Sequence, residues 1–150
     1  MSEFKPFDDR LNGLIAALSP AARRKLAGEI AKQLRAAQQQ RIKQQKAPDG
    51  SPYQARKCQP LRAKTGRIKR AMFQKLRTSR YMKATGRENS AVVEFTGKVQ
   101  RIARVHQLGL KDRPSKDSED VPYPERRLLG FNDIDQKNVE FLILETLTSK

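Results

Sequence analysis

Arg101-Ile102-Ala103-Arg104-Val105-His106-Gln107-Leu108-Gly109, followed after a charged loop by Tyr123-Pro124-Glu125-Arg126-Arg127-Leu128-Leu129-Gly130-Phe131, is the most specific stretch of this chain. Phe95-Thr96-Gly97 leads into it. The order and spacing are specific, yet no catalytic constellation is present. A metal site on His106, the single histidine, would need Cys or Asp partners at ligand spacing. A general base there would need a carboxylate or nucleophile that the neighbouring sequence does not offer. A hydrogen-bonded structural histidine is the plainer reading. Specificity without chemistry points to an assembly surface, with Arg101, Arg104, His106, Gln107, Arg126 and Arg127 as candidate interface residues. Guanidinium forks pair well with carboxylates and phosphates. Surface solubility is the competing reading for any single arginine.

Working outward, the pieces predict an α+β fold of one domain over residues 1–150. A short helix carries Leu11, Leu14, Ile15 and Leu18 after Phe7-Asp8-Asp9. Ser19-Pro20 starts a long basic helix, Ser as cap and Pro at the first position, where no hydrogen bond is lost. Its apolar stripe of Ala22, Leu26, Ile30, Leu34, Ala37 and Ile42 runs toward Lys46, and Pro48-Asp49-Gly50 ends it. Residues 38–45 read as too polar for a core, hence as projecting or lying on a partner. Flexible loops are expected near 51–65 and 110–120. Between them, Ile68, Met72, Phe73 and Leu76 suggest a short helix, with a strand as the competing reading near 73–76. Residues 80–84 and 91–95 read as a hairpin with Gly86 and Asn89 in the turn. Residues 102–108 read as a helical turn, and Val121-Pro122-Tyr123 as a short edge strand. Arg101–Gly109 and Tyr123–Phe131 should pack together, with Pro124 and Gly130 fixing turns and Leu128, Leu129 and Phe131 anchoring the last helix. Asn132 caps that helix, Asp135 lies in its first turn, and Ile134, Val139, Leu142, Ile143 and Leu147 form its buried face.

The charge is +16 overall, and its placement says more than its size. Residues 1–87 hold 22 Lys/Arg against 5 Asp/Glu, and residues 88–150 hold 10 against 11. From Gly50 to Arg87 there are 12 basic residues and no acidic one. Such a block binds nucleic acid or an acidic protein surface, or is simply a solvated face. Arg62, Lys64, Arg67, Lys69 and Arg70 are the candidate contacts to DNA or an acidic partner. Tyr53, Phe73 and Tyr81 are too sparse for a base-stacking platform, and no zinc-finger, RNP or helix-turn-helix pattern is present. Contact with DNA would therefore run through charge alone. Lys64-Thr65-Gly66-Arg67 and Thr85-Gly86-Arg87 lack the glycine spacing of a phosphate-binding loop. A lone Cys58 fits a reducing compartment, and no apolar run reaches membrane-spanning length. The expectation is a soluble product of the cytoplasm without cofactor or metal.

Taken in order, the basic helix ending in Pro48-Asp49-Gly50-Ser51-Pro52-Tyr53, then Met72-Phe73-Gln74-Lys75-Leu76-Arg77, and the three pieces from Phe95 to Gly130 resemble the phage virion morphogenesis family. That family includes the tail completion proteins of contractile-tailed temperate phages. The resemblance covers about Leu11 to Leu147 and departs at the charged insert 111–120, which reads as a partner-specific loop. It implies a non-enzymatic virion component, made in the host cytoplasm and placed at the head-proximal end of the tail. It further implies a homo-oligomeric ring, a hexamer by the usual sixfold order of such tails. The implied neighbours are the tail tube, the sheath and head-side connector proteins. The alternative is a sequence-independent nucleic-acid-binding protein using residues 50–87.

Overall fold

The computed structural model describes residues 12–56 and 71–148. It is α+β: α1 (residues 12–16), α2 (Pro20–Lys43), β1 (Met82–Gly86), β2 (Ala91–Phe95), α3 (Gln100–Leu108), β3 (Lys111–Asp112), β4 (Val121–Pro122) and α4 (Asp133–Thr148). The sheets are two-stranded, β1 with β2 and β3 with β4. The chain divides into two compact units, Met1–Arg35 with Ala84–Glu94 and Asp133–Lys150, and Ala36–Lys83 with Phe95–Asn132.

In the first unit, α2 begins as its sequence requires. The Ala22 amide donates to Ser19 Oγ at 3.2 Å, and Pro20 occupies the first turn, where its missing N–H costs nothing. Leu26 and Ile143 form the centre of the core, with Ile15, Leu18, Ile30, Val139, Leu142 and Leu147 packed around them. The β1–β2 turn is closed by the Arg87 amide donating to Ser90 O, and Arg23 pairs with Glu88 at 2.8 Å. Gly86 lies against the backbone of Ala27 and Gly28, and a Cβ there would overlap it. Its glycine answers to close approach, not to the turn expected of it. The strands start at Met82 rather than residue 80.

Ile134 corrects the reading of α4, being 68% exposed. It is one of three apolar residues, with Phe141 and Leu144, on the side of α4 opposite Val139 and Ile143. Apolar residues on both sides of a helix leave periodicity unable to say which side is inside.

In the second unit the buried residues include Gln38, Ile42, Met72, Leu76, Met82, Phe95, Ala103, Val105, Arg126 and Leu128. The polar end of α2 is therefore core, against expectation. Gln38 is 4% exposed and Ile42 fully buried. The helix ends at Lys43, ahead of Pro48-Asp49-Gly50. Gln45 adopts φ 58°, its amide donates to Ile42 O, and the Lys46 amide donates to Arg41 O. This is a Schellman closure with Gln where Gly is usual. Residues 71–77 form successive turns, neither helix nor strand, with Phe73 at φ 66°. α3 is a full helix of nine residues, ended by Gly109 at φ 66°. A Cβ on Gly109 would come within 3.0 Å of the Glu125 amide nitrogen.

Candidate functional site

The segment 123–131 has no regular structure beyond the end of β4, so its backbone must find partners elsewhere. Side chains supply them. Gln107 Oε1 accepts from the Leu128 and Leu129 amides at 2.8 and 2.9 Å, and its Nε2 donates to Leu129 O at 2.9 Å. Gln38 does the same for Gly130, donating to its carbonyl at 2.8 Å and accepting from its amide at 3.2 Å. Arg41 also donates to Gly130 O, and the Tyr53 hydroxyl donates to Arg127 O at 2.8 Å. The Arg126 amide donates to His106 O at 2.7 Å. Two glutamines thus act as the neighbouring strand that this segment lacks.

The expected packing of Arg101–Gly109 against Tyr123–Phe131 is therefore present. Its anchoring residues differ in part. Leu128 is fully buried, Leu129 is half-buried, and Phe131 is 58% exposed. Extended backbone points successive side chains to opposite sides, and Arg126 in, Arg127 out, Leu128 in follows that rule. Gly130 is required by Pro48, whose ring a Cβ would overlap. Asn132 precedes α4 and donates from Nδ2 to Pro48 O at 2.8 Å.

The candidate interface residues fall into two sets. His106, Gln107 and Arg126 point inward. Arg126 is buried and donates from Nε to Gln54 O at 2.8 Å and from Nη2 to Ala55 O at 3.3 Å, anchoring residues 54–55. Burial and, secondarily, the nearby Arg56 charge lower its pKa. The His106 ring lies between Phe73 and Tyr123, with centroids at 4.8 and 5.2 Å, and Tyr53 meets Phe73 edge-on at 5.7 Å. Burial, first, and then the Arg126 and Arg56 charges hold the imidazole below its ordinary pKa, against a smaller opposing pull from Asp112. His106 Nδ1 is buried without a hydrogen-bond partner among the described residues. The ring packs edge-on against the aromatics on either side of it.

Arg101, Arg104 and Arg127 face outward. Arg101 pairs with Asp112 at 2.7 Å, and Arg127 with Glu125 at 2.7 Å. Arg101 and Arg104 line a shallow hollow of about 440 Å³ with Gln100, Val105, Leu110, Lys111 and Asp112. The hairpin β3–β4 pairs Lys111 with Pro122 and Asp112 with Val121, which closes the ends of the charged insert. Arg62, Lys64, Arg67, Lys69 and Arg70 lie outside the described residues, as do Cys58 and Ile68.

Sequence reading missed Gln38, Arg41, Gln45, Tyr53 and Phe73. Gln38, Ile42 and Gln45 continue the helical spacing of Leu34, and that continuation was the available signal. Gln45 donates to Met72 O and accepts from the Met72 amide, so it both ends α2 and fixes the next segment. Nothing in the sequence marks Phe73 for a left-handed conformation, which for a bulky residue costs roughly 1–3 kcal/mol.

A small α+β protein whose most specific residues hold backbone in place is a structural protein in outline. The comparisons agree with that class. The phage virion morphogenesis family matches residues 2–148, and the chain belongs to it. It is 51% identical over 148 residues to tail completion protein S of Escherichia phage P2, covering 98% of this chain and 99% of that protein. No solved structure matches.

Proposed function

We propose that this chain is a structural virion protein that completes the phage tail at its head-proximal end and so enables head–tail joining. The observation that carries the reading is the end-to-end similarity to a protein named for tail completion. The site supports it, since Gln38, Arg41, Gln107 and Arg126 bind backbone carbonyls and amides, which is work for a fixed surface and not for turnover. The subunit assembles as a ring, a hexamer in keeping with sixfold tails, without enzymatic activity. Its neighbours are the tail tube and sheath on one side and the head-side connector on the other. Arg101, Arg104 and Arg127 are the outward contacts, and His106, Gln107 and Arg126 hold the segment that presents Arg127.

A second role fits the acid-free block Gly50–Arg87, whose 12 cations repel one another until an anion neutralises them. DNA in the tail channel, or an acidic neighbour, is that anion, and the contact is independent of base sequence. Immunogold labelling of purified virions tests the placement. Label at the head–tail junction is the expected result, whereas label only on heads, on fibres, or nowhere overturns it.

A further inference from the structure

The outer side of α4 has no cover among the described residues. Ile134 and Phe141 are 68% and 69% exposed, and Leu144 is 40% exposed. They recur two turns and then one turn apart, so they form one stripe along the helix. Their exposed area is on the order of a few hundred Å², the size of the largest apolar patch on a typical monomer, which is often functional. The inner side of the same helix is already used, by Val139, Leu142, Ile143 and Leu147 in the core.

Charge indicates what covers the stripe. Outside the core α4 carries Asp133, Glu140 and Glu145 against the single Lys137, in a chain of net charge +16, whereas Asp135 is buried. α2 carries seven Lys/Arg against the single Glu29. On its exposed side the first half of α2 presents Ala21, Arg24, Lys25 and Lys32. The small Ala21 leaves room for bulky apolar side chains. Lys and Arg stems lie along such side chains while their charged ends reach neighbouring carboxylates. An arginine over the Phe141 ring adds a cation–π contact.

Within one molecule the stripe itself does not meet α2. α2 and α4 pack on each other through Leu26 and Ile143, so their exposed sides face away from the contact. Lys25 and Glu145 share a hollow between the two helices, but the stripe Ile134–Phe141–Leu144 and the Ala21–Arg24–Lys32 side of α2 point away from each other within one copy. We infer that the stripe Ile134–Phe141–Leu144 docks on the Ala21–Arg24–Lys32 side of α2 in a second copy of this chain. The contact is head-to-tail, using two different patches, and therefore repeats from copy to copy until a ring closes. The inference rests on the reading of the chain as a self-assembling subunit and assigns the surface through which it assembles.

The test uses two full-length variants, Ile134→Ser with Phe141→Ser, and Arg24→Glu with Lys32→Glu. All four positions are exposed, so both variants should keep the wild-type circular dichroism spectrum and melting temperature. In sedimentation velocity the wild type should be oligomeric, and each variant alone should lose that species. An equal mixture should give a 1:1 dimer and nothing larger, because one intact face remains on each partner. The inference is overturned if either variant assembles as the wild type does, if the mixture stays monomeric, or if the wild type is monomeric. Assembly lost only by the α4 variant indicates an α4–α4 contact and contradicts the pairing. Complementation of a phage lacking this protein, run in parallel, separates the two levels. Variants that restore infectivity refute the surface alone, whereas a wild-type protein that fails to restore it refutes the proposed function.

Discussion

At the residue scale, Gln107 and His106 carry the most consequence. Gln107→Ala would strip the partners from two amides and one carbonyl of a partly buried segment. Such a change should lower stability by roughly 2–4 kcal/mol, seen as an earlier urea midpoint, because buried polar groups left unpaired are costly. A midpoint within error of wild type would mean that residues 128–129 are held by something else. Leu128→Ala, at a fully buried site, should cost about 2–5 kcal/mol, and Leu129→Ala less. His106 gives a pH signature. Its folded pKa lies below the ordinary 6.5, so the unfolded chain takes up the proton first as pH falls. The folded state should keep full stability above 6.5 and lose it progressively below, until the depressed pKa is reached. Urea titrations between pH 7 and 5 should show this slope, and His106→Phe should flatten it. At the alkaline end, burial pushes the Tyr53 hydroxyl up to about 12. Stability should therefore fall as pH rises past 10, where the unfolded phenol ionises first. Tyr53→Phe should remove that fall and cost about 1 kcal/mol near neutrality for the bond to Arg127 O.

At the element scale, what could be read from sequence follows physical type. The start of α2 was legible because Ser-Pro acts locally. The β1–β2 hairpin and the start of α4 were legible for the same reason, within two residues. The end of α2 was not. Gln38 reads as solvent-facing by composition, but its amide offers both a donor and an acceptor, and the segment 123–131 needs both. The identity of a buried polar residue depends on what lies across from it, and that partner is 92 positions away. Ile134 and Phe131 failed for the opposite reason, since apolar side chains were assigned to a core that has no place for them. Among the candidate interface residues, sequence did not separate the three that point inward, His106, Gln107 and Arg126, from the three that face outward, Arg101, Arg104 and Arg127. The insert 113–120 is closed at its base by β3 and β4 and by Arg113 near Asp120 at 3.7 Å. Replacing it with Asn-Gly between Asp112 and Val121 should leave the melting temperature within a few degrees, since exposed ion pairs contribute about 0–1 kcal/mol. A large drop would show that the loop packs on the unit.

At the scale of the whole molecule, a member of a virion morphogenesis family is expected to act through what it joins. Its two charge regimes suit that role, a strongly basic first half and a nearly neutral second half. Reversing Arg62, Lys64, Arg67, Lys69 and Arg70 to Glu should leave the fold intact and give tails that do not join heads. Normal infectivity from that variant would reduce the block to a solvated surface. The most direct measurement is electron microscopy of lysates from a phage deleted for this protein, with and without the wild-type chain supplied in trans. The account predicts filled heads and separate tails without it, and joined infectious particles with it. Joined, infectious particles in its absence would contradict the account.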